Sequence, residues 1–126
     1  MKLSDFELEV MQVIWDQKAV TAPEVHEKIA SEREISYSAV KTIIDRLEDK
    51  GAVYRARKYG RTILYEASVQ KDQLSKPMVH SFIDKVFGGN VRPLFNHALE
   101  EENVSLEDIA YLESILQQKR EDMKKS

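Results

Sequence analysis

This chain of 126 residues lacks several features on which catalysis, metal binding or disulfide bonding depends. It contains no cysteine, which excludes disulfide bonds, thiolate zinc sites and a cysteine nucleophile. It has no run of about 18 apolar residues and no secretory signal, which predicts a cytoplasmic protein. A phosphate-binding glycine loop and a recognisable set of serine, histidine and acid are also absent. We therefore predict that the chain is not an enzyme and has neither catalytic residues nor a cofactor.

The histidines give little support to a metal site. His80 lies one turn from Asp84, and His97 lies one turn from Glu101, on segments with helical spacing. Such neighbours on a helix are usually solvated surface pairs, and His26 is distant in sequence from both. We predict no metal ligands.

The charge is distributed unevenly along the chain. The net charge is −3, which by itself argues mildly against nucleic acid. Residues 41–61, however, hold seven Lys/Arg against three Asp/Glu, a balance of +4, whereas residues 5–34 hold three against eight, a balance of −5. A chain that is acidic overall can therefore present one basic strip to phosphates.

The stretch from Ser36 to Lys50 has the pattern of an amphipathic helix that ends at Gly51. Its buried stripe is predicted from apolar residues with helical spacing: Val40, Ile43, Ile44 and Leu47. Its opposite side carries small polar groups and one cation, as a helix in a DNA major groove requires: Ser38, Lys41, Thr42 and Asp45. The alternative is an ordinary surface helix whose outer face is merely solvated.

The neighbouring segments favour a winged helix-turn-helix. Capping boxes at Ser4–Glu7 and Thr21–Glu24 predict two preceding helices, ending near Gln17 and Ser31. After Gly51, two strands are predicted at Val53–Lys58 and Thr62–Ala67, joined by a hairpin tip at Tyr59–Arg61. This two-stranded wing would bring cations to the DNA backbone or minor groove: Arg55, Arg57, Lys58 and Arg61.

A second unit follows a polar junction at Gln70–Lys76, where Pro77 is expected to interrupt or kink any helix. Three short helices of about 50 residues cannot bury their broad apolar stripes alone, so a second copy of the chain is the simplest partner. We therefore predict a mainly α chain, with a winged helix-turn-helix domain at residues 1–70 and a three-helix dimerisation domain at residues 71–126. The predicted dimerisation residues are Met78, Val79, Phe82, Val86, Leu94, Phe95, Leu99, Ile109, Leu112 and Leu116.

Two motifs carry a resemblance to a known family. The first is Ser4-Asp5-Phe6-Glu7-Leu8-Glu9-Val10-Met11 with Ile14-Trp15. The second is Val40-Lys41-Thr42-Ile43-Ile44-Asp45-Arg46-Leu47 with Lys50-Gly51. Together they resemble the penicillinase-repressor family of bacterial winged-helix transcriptional repressors, and the similarity extends over nearly the whole chain.

The resemblance implies a dimer that binds an inverted-repeat operator on double-stranded DNA and blocks promoter access. It implies that Ser38, Lys41 and Thr42 read bases, and that Arg46 contacts phosphate or pairs within the protein. Some members are inactivated by a sensor protease that cuts an Asn-Phe bond, but His97-Ala98 stands at that place here, so the inducing signal stays open. The absence of cysteine excludes the mechanism of the copper-responsive members.

The sequence leaves two other functions possible. Winged helices also host protein–protein binding, so an interaction adaptor is one alternative. A regulator that responds to a small ligand bound between its domains is the other. The basic wing and the cation on the recognition face argue against the adaptor, and nothing in the sequence marks a ligand pocket.

Overall fold

The computed structural model describes residues 1–126 and contains six helices and three strands. In chain order these are α1 (Asp5–Gln17), β1 (Ala19–Thr21), α2 (Ala22–Ala30), α3 (Tyr37–Asp49), β2 (Val53–Tyr59), β3 (Thr62–Ala67), α4 (Lys71–Phe87), α5 (Arg92–Glu100) and α6 (Leu106–Lys125). The predicted mainly α fold with a winged helix-turn-helix is confirmed. None of the helices combines the length and apolar character needed to cross a bilayer.

The helix boundaries follow the capping residues. Ser4 and Thr21 each accept a hydrogen bond from the backbone N–H three residues later. The carboxylate of the glutamate at that place accepts in turn from the backbone N–H of the cap residue, so both predicted capping boxes are present. Ser36 accepts from the backbone N–H of Ala39 and starts α3. Gly51, with φ of 79°, follows the end of α3, where a residue with a Cβ would be strained.

One apolar core lies within the N-terminal part of the chain. The stripe predicted for α3 is buried, with Val40, Ile44 and Leu47 fully covered and Ile43 only 5% exposed. The rest of the core comes from α1, α2 and the strands: Val10, Met11, Ile14, Val20, Ala22, Val25, Ile29, Ala52, Val53 and Tyr65. Trp15 packs against this core, and its indole N–H donates to the carbonyl of Val69 at 2.9 Å.

The sheet has one strand more than the predicted two-stranded wing. β1 pairs antiparallel with β3, so the strand order is β1-β3-β2. The segment after α1 can do this because Val20 lies opposite Tyr65 and both side chains are buried in the core. The hairpin tip is also tighter than predicted, since Tyr59 still pairs with Thr62 and only two residues make the turn.

The predicted polar junction is helical. α4 begins at Lys71 and runs through Pro77 without a break. Pro77 removes one backbone donor and crowds the carbonyl four residues earlier, but the buried Leu74, in the turn before it, stabilises the start of the helix. By contacts the chain divides into two units, Met1–Met78 and Val79–Ser126. The domain division at residues 70 and 71 stays a prediction, and the contact boundary lies eight residues further along.

The unit Val79–Ser126 has no buried side chain. Pro93 lies in the first turn of α5, and Ser105 is the N-cap of α6. Within this unit, Phe82 and Phe87 make an edge contact with centroids 5.6 Å apart. The unit therefore forms helices without forming a core of its own.

An ion pair ties the end of α3 to the start of α1. The ammonium of Lys50 lies 2.8 Å from Glu7 Oε1 and 3.0 Å from the carbonyl of Lys2. Glu7 is only 3% exposed. Burial raises its pKa, but hydrogen bonds from Lys50 and Ser4 outweigh burial and hold the pKa below its ordinary value. Glu7 thus caps α1 and anchors the last turn of α3 with the same carboxylate.

Removing the ammonium should destabilise the N-terminal unit. Lys50→Met keeps the apolar stem but leaves the buried carboxylate without its cation, which should lower the free energy of unfolding by about 1–3 kcal/mol at neutral pH. Urea denaturation followed by fluorescence of the single tryptophan, Trp15, measures this. Lys76→Met, at an exposed lysine without an ion pair, is the control and should change little.

The pH dependence gives a second check on the same variant. Because the folded-state pKa of Glu7 is lowered, its contribution to stability is present above the unfolded-state pKa and is lost as the pH falls through the folded-state pKa. The native chain should therefore lose more stability in acid than Lys50→Met does. Equal losses would show that the Glu7–Lys50 pair contributes nothing to folding.

Candidate nucleic-acid interface

Contacts from α1 and α2 set the position at which α3 begins. The ring Nε2 of His26 lies 2.8 Å from the carbonyl of Ile35, and that ring meets Tyr37 edge-on. Arg33, in the turn before α3, makes two hydrogen bonds to Glu9, at 2.7 and 3.2 Å, and lies over the ring of Phe6. The turn of the helix-turn-helix is therefore fixed to both earlier helices, which orients α3 on the domain.

The outer face of α3 presents the polar residues that the sequence predicted there. Ser38, Thr42 and Arg46 are exposed, and Lys41 and Asp45 are partly exposed. The Thr42 hydroxyl donates to the carbonyl of Ser38 at 2.9 Å. Its proton is therefore occupied, so Thr42 offers a methyl group and oxygen lone pairs to a partner rather than a donor.

Lys41 and Asp45 form an ion pair on this face. Lys41 Nζ lies 2.6 Å from Asp45 Oδ1, one helical turn away, with the side chains 31% and 50% exposed. This hydrogen bond raises the pKa of Lys41 against the opposing effect of partial burial. Lys41 is therefore firmly protonated at neutral pH and held in one place on the helix.

A β-bulge divides the cations of the hairpin between two faces. The pairing changes register between Arg55 and Arg57, so that Arg55 lies opposite Tyr65 while Arg57 lies opposite Leu64. Adjacent residues of a strand point to opposite faces. Arg55 consequently shares the core-facing side with Tyr65, whereas Arg57 lies on the outer side, where its guanidinium donates to the hydroxyl of Tyr59 at 3.3 Å.

The hairpin is also joined to α3 by an ion pair. Arg55 Nε lies 2.8 Å from Glu48 Oε2, and this contact raises the pKa of Arg55. Glu48 therefore neutralises the charge of Arg55 within the protein. Arg46, Arg57, Lys58 and Arg61 are exposed and have no carboxylate partner, so their charges stay available to an anionic partner.

One cleft brings the recognition face and the hairpin tip together. It has a volume of about 250 Å³, and its cations are Lys41 from α3 and Arg61 from the hairpin turn. The remaining wall comes from the start of α2, the first turn of α3 and strand β3: Thr21, Ala22, Pro23, Tyr37, Thr62, Ile63 and Tyr65. Two positive charges from distant parts of the sequence thus converge beside a helix N-terminus, a place that favours anions.

Two residues of this surface were not selected from the sequence. Tyr37 is 42% exposed and lines the cleft with Lys41. Its place one turn before Lys41 was the available signal. Glu48 neutralises Arg55, and no sequence pattern predicts that pair, because it depends on how the hairpin folds back onto α3.

Most of the predicted dimerisation residues are exposed in the single chain. Leu94 and Leu112 are partly buried, and the exposed fractions of the other eight lie between 42% and 60%. Exposed residues at Leu106, Tyr111, Ile115 and Met123 enlarge this apolar surface. So much uncovered apolar area is uncommon on a stable soluble monomer.

The fold and this surface define a winged helix-turn-helix protein with a polar outer face on α3 and exposed cations on its hairpin. The model of the penicillinase repressor family matches residues 3–118, and the chain belongs to that family, which is one of transcriptional repressors and not of enzymes. The resemblance inferred from the two sequence motifs is thereby confirmed.

Relatives match over almost their whole length. The chain is 31% identical over 118 residues to the methicillin resistance regulatory protein MecI of Mammaliicoccus sciuri, covering 94% of this chain and 95% of the relative. It is 30% identical over 117 residues to the penicillinase repressor of Bacillus licheniformis, covering 93% and 91%.

A solved structure extends the comparison to a complex. The monomeric form of Bacillus licheniformis BlaI in complex with the blaP half-operator is similar with a TM-score of 0.50 and 32% identity. The match covers 57% of this chain and 87% of that one.

Proposed function

We propose that this protein is a homodimeric transcriptional repressor that acts in the cytoplasm by binding an inverted-repeat operator and blocking promoter access. Family membership supports repression, and the half-operator complex of the similar BlaI supports DNA as the partner. The observation that carries the proposal for this chain is the convergence of Lys41 and Arg61 on one cleft beside the polar face of α3.

In the proposed complex, α3 enters the major groove. Ser38, Lys41 and Thr42 face base edges, and Asp45 lies in the same row. The free cations Arg46, Lys58 and Arg61 are placed for phosphates, which position the protein without specifying sequence. Arg57 lies on the other face of the hairpin and is assigned to the edge of the DNA interface. Arg55 serves mainly to hold the wing against α3.

The dimer is proposed from the unit Val79–Ser126. Its helices bury no side chain alone, yet they carry aromatic and aliphatic residues of the size that dominates interface cores. A second copy offers the same apolar surface, and a two-fold interface needs only such a self-complementary patch. Two recognition helices would then read two half-sites related by the same symmetry.

Lys41→Ala tests base recognition. The substitution should weaken binding to a selected operator by about 1–3 kcal/mol and loosen the preference at one base position, while affinity for random duplexes changes less. Electrophoretic mobility shifts on both duplexes measure this, with Lys119→Ala in α6 as the control. Equal weakening on both duplexes would mean that Lys41 touches only phosphate.

Arg61→Ala tests the hairpin tip. Loss of one phosphate contact should reduce the slope of log affinity against log salt by about one for each protomer on the DNA. Arg55→Ala should reduce the slope less, because Glu48 already neutralises that guanidinium. Fluorescence anisotropy over a salt series measures both slopes. An unchanged slope for Arg61→Ala would remove the wing tip from the interface.

Phe82→Asp tests the dimer. A charge on the 47% exposed ring position should give a monomer in sedimentation and lower operator affinity by about 10²-fold or more, because the half-sites are no longer held together. Lys85→Asp places the same side chain at a polar position of α4 and should leave the dimer intact. A native chain that sediments as a monomer at micromolar concentration would contradict the assignment.

A further inference from the structure

The Lys41–Asp45 ion pair is poorly explained as a helix-stabilising contact. The lysine precedes the acid by one turn, which is the less favourable order for a pair at this spacing on a helix. Both side chains are partly exposed, where ion pairs contribute little to stability. The contact nevertheless holds the Lys41 ammonium at 2.6 Å from a carboxylate.

A carboxylate on this face has a restricted choice of partners in DNA. Phosphates and the acceptor atoms of bases repel it, so Asp45 needs a donor from a base edge. In the major groove the donors are the exocyclic amines, N4 of cytosine and N6 of adenine. A lysine ammonium has the opposite need, and guanine meets it best because O6 and N7 are neighbouring acceptors.

One base pair satisfies both groups at once. In a G·C pair the guanine O6 and the cytosine N4 are hydrogen-bonded to each other, about 2.9 Å apart. Each of these two atoms has one hydrogen-bonding direction left for a partner in the major groove, and the two directions diverge. Lys41 can therefore donate to guanine while Asp45 accepts from cytosine, once the 2.6 Å contact between Nζ and Oδ1 opens. An A·T pair offers N7 of adenine and O4 of thymine as acceptors, but the N6 amine of adenine lies between them, so it lacks the two neighbouring acceptors that suit Lys41.

We infer that Asp45 is a specificity-determining residue that reads one G·C base pair of the operator jointly with Lys41. Lys41 donates to guanine, and Asp45 accepts from the N4 amine of the paired cytosine. The inference rests on the proposed function and deepens it, because it assigns a base pair to a residue that otherwise only weakens attraction to DNA.

Selection of bound duplexes from a random pool, with the native dimer and four variants, tests this. Asp45→Ala should lower the preference at one base pair by roughly tenfold or more and tighten binding to random duplexes. Asp45→Asn should move that preference toward A·T, because an amide pairs with adenine. Lys41→Ala should lose the preference at the same base pair. Asp49→Ala is the matched control, since Asp49 is an exposed acid of α3 without an ion pair.

The outcomes separate the inference from the proposed function. If the native chain enriches no sequence, operator binding itself fails. If the native chain enriches a sequence and Asp45→Ala keeps every base preference, as Asp49→Ala is expected to do, Asp45 only repels phosphate and the inference is overturned. Loss at different base pairs in Lys41→Ala and Asp45→Ala also overturns it. Far-UV circular dichroism confirms that the variants keep their helices.

Discussion

The packing of α3 on the core is the constraint from which the rest of the recognition surface follows. Four apolar side chains at helical spacing are buried together. Since successive residues of a helix are rotated by about 100°, burying that stripe fixes the direction in which the other residues point around the helix axis. Ser38, Lys41, Thr42 and Asp45 face outward because Val40, Ile44 and Leu47 face inward.

Polar contacts at both ends of α3 remove the freedom that packing alone would leave. A buried apolar stripe fixes rotation about the helix axis but tolerates small shifts along it. At the start, His26 holds the carbonyl of Ile35, and at the end, Lys50 joins the buried Glu7. A recognition face benefits from this, because groups held before binding lose less entropy when they meet base edges.

The local sequence pattern is sufficient to predict most helices and strands. The differences between prediction and structure arise from tertiary contacts. Capping boxes and the 3.6-residue period gave α1, α2 and α3 almost to the residue, because both signals act within one or two turns. Strand β1 was missed as a strand because three residues acquire that structure only by pairing with β3. α4 begins at Lys71, before Pro77, where the sequence predicts a polar junction. The burial of Leu74 is a tertiary contact that the local pattern does not show.

The candidate site shows the same division. The residue types on α3 and the cations of the hairpin could be chosen from the sequence. Their electrostatic states could not, because the bulge that separates Arg55 from Arg57 and the pairing of Arg55 with Glu48 arise only when the hairpin meets α3. From the sequence, all four cations of the wing are candidates for DNA contact. In the folded hairpin only three of them are without an acidic partner.

The distribution of charge then explains how an acidic protein can select DNA. With a net charge of −3, the protein as a whole is not attracted to phosphates, so the proposed interface relies on the exposed cations Arg46, Lys58 and Arg61 beside Lys41. Electrostatic binding that ignores sequence grows with the number of neutralised phosphates. Because this chain has few free cations and carries Asp45 on the outer face of α3, the part of its affinity that ignores sequence should be small. In the proposed complex, base contacts on α3 would supply a larger share of the affinity, which favours discrimination over tight binding to any duplex.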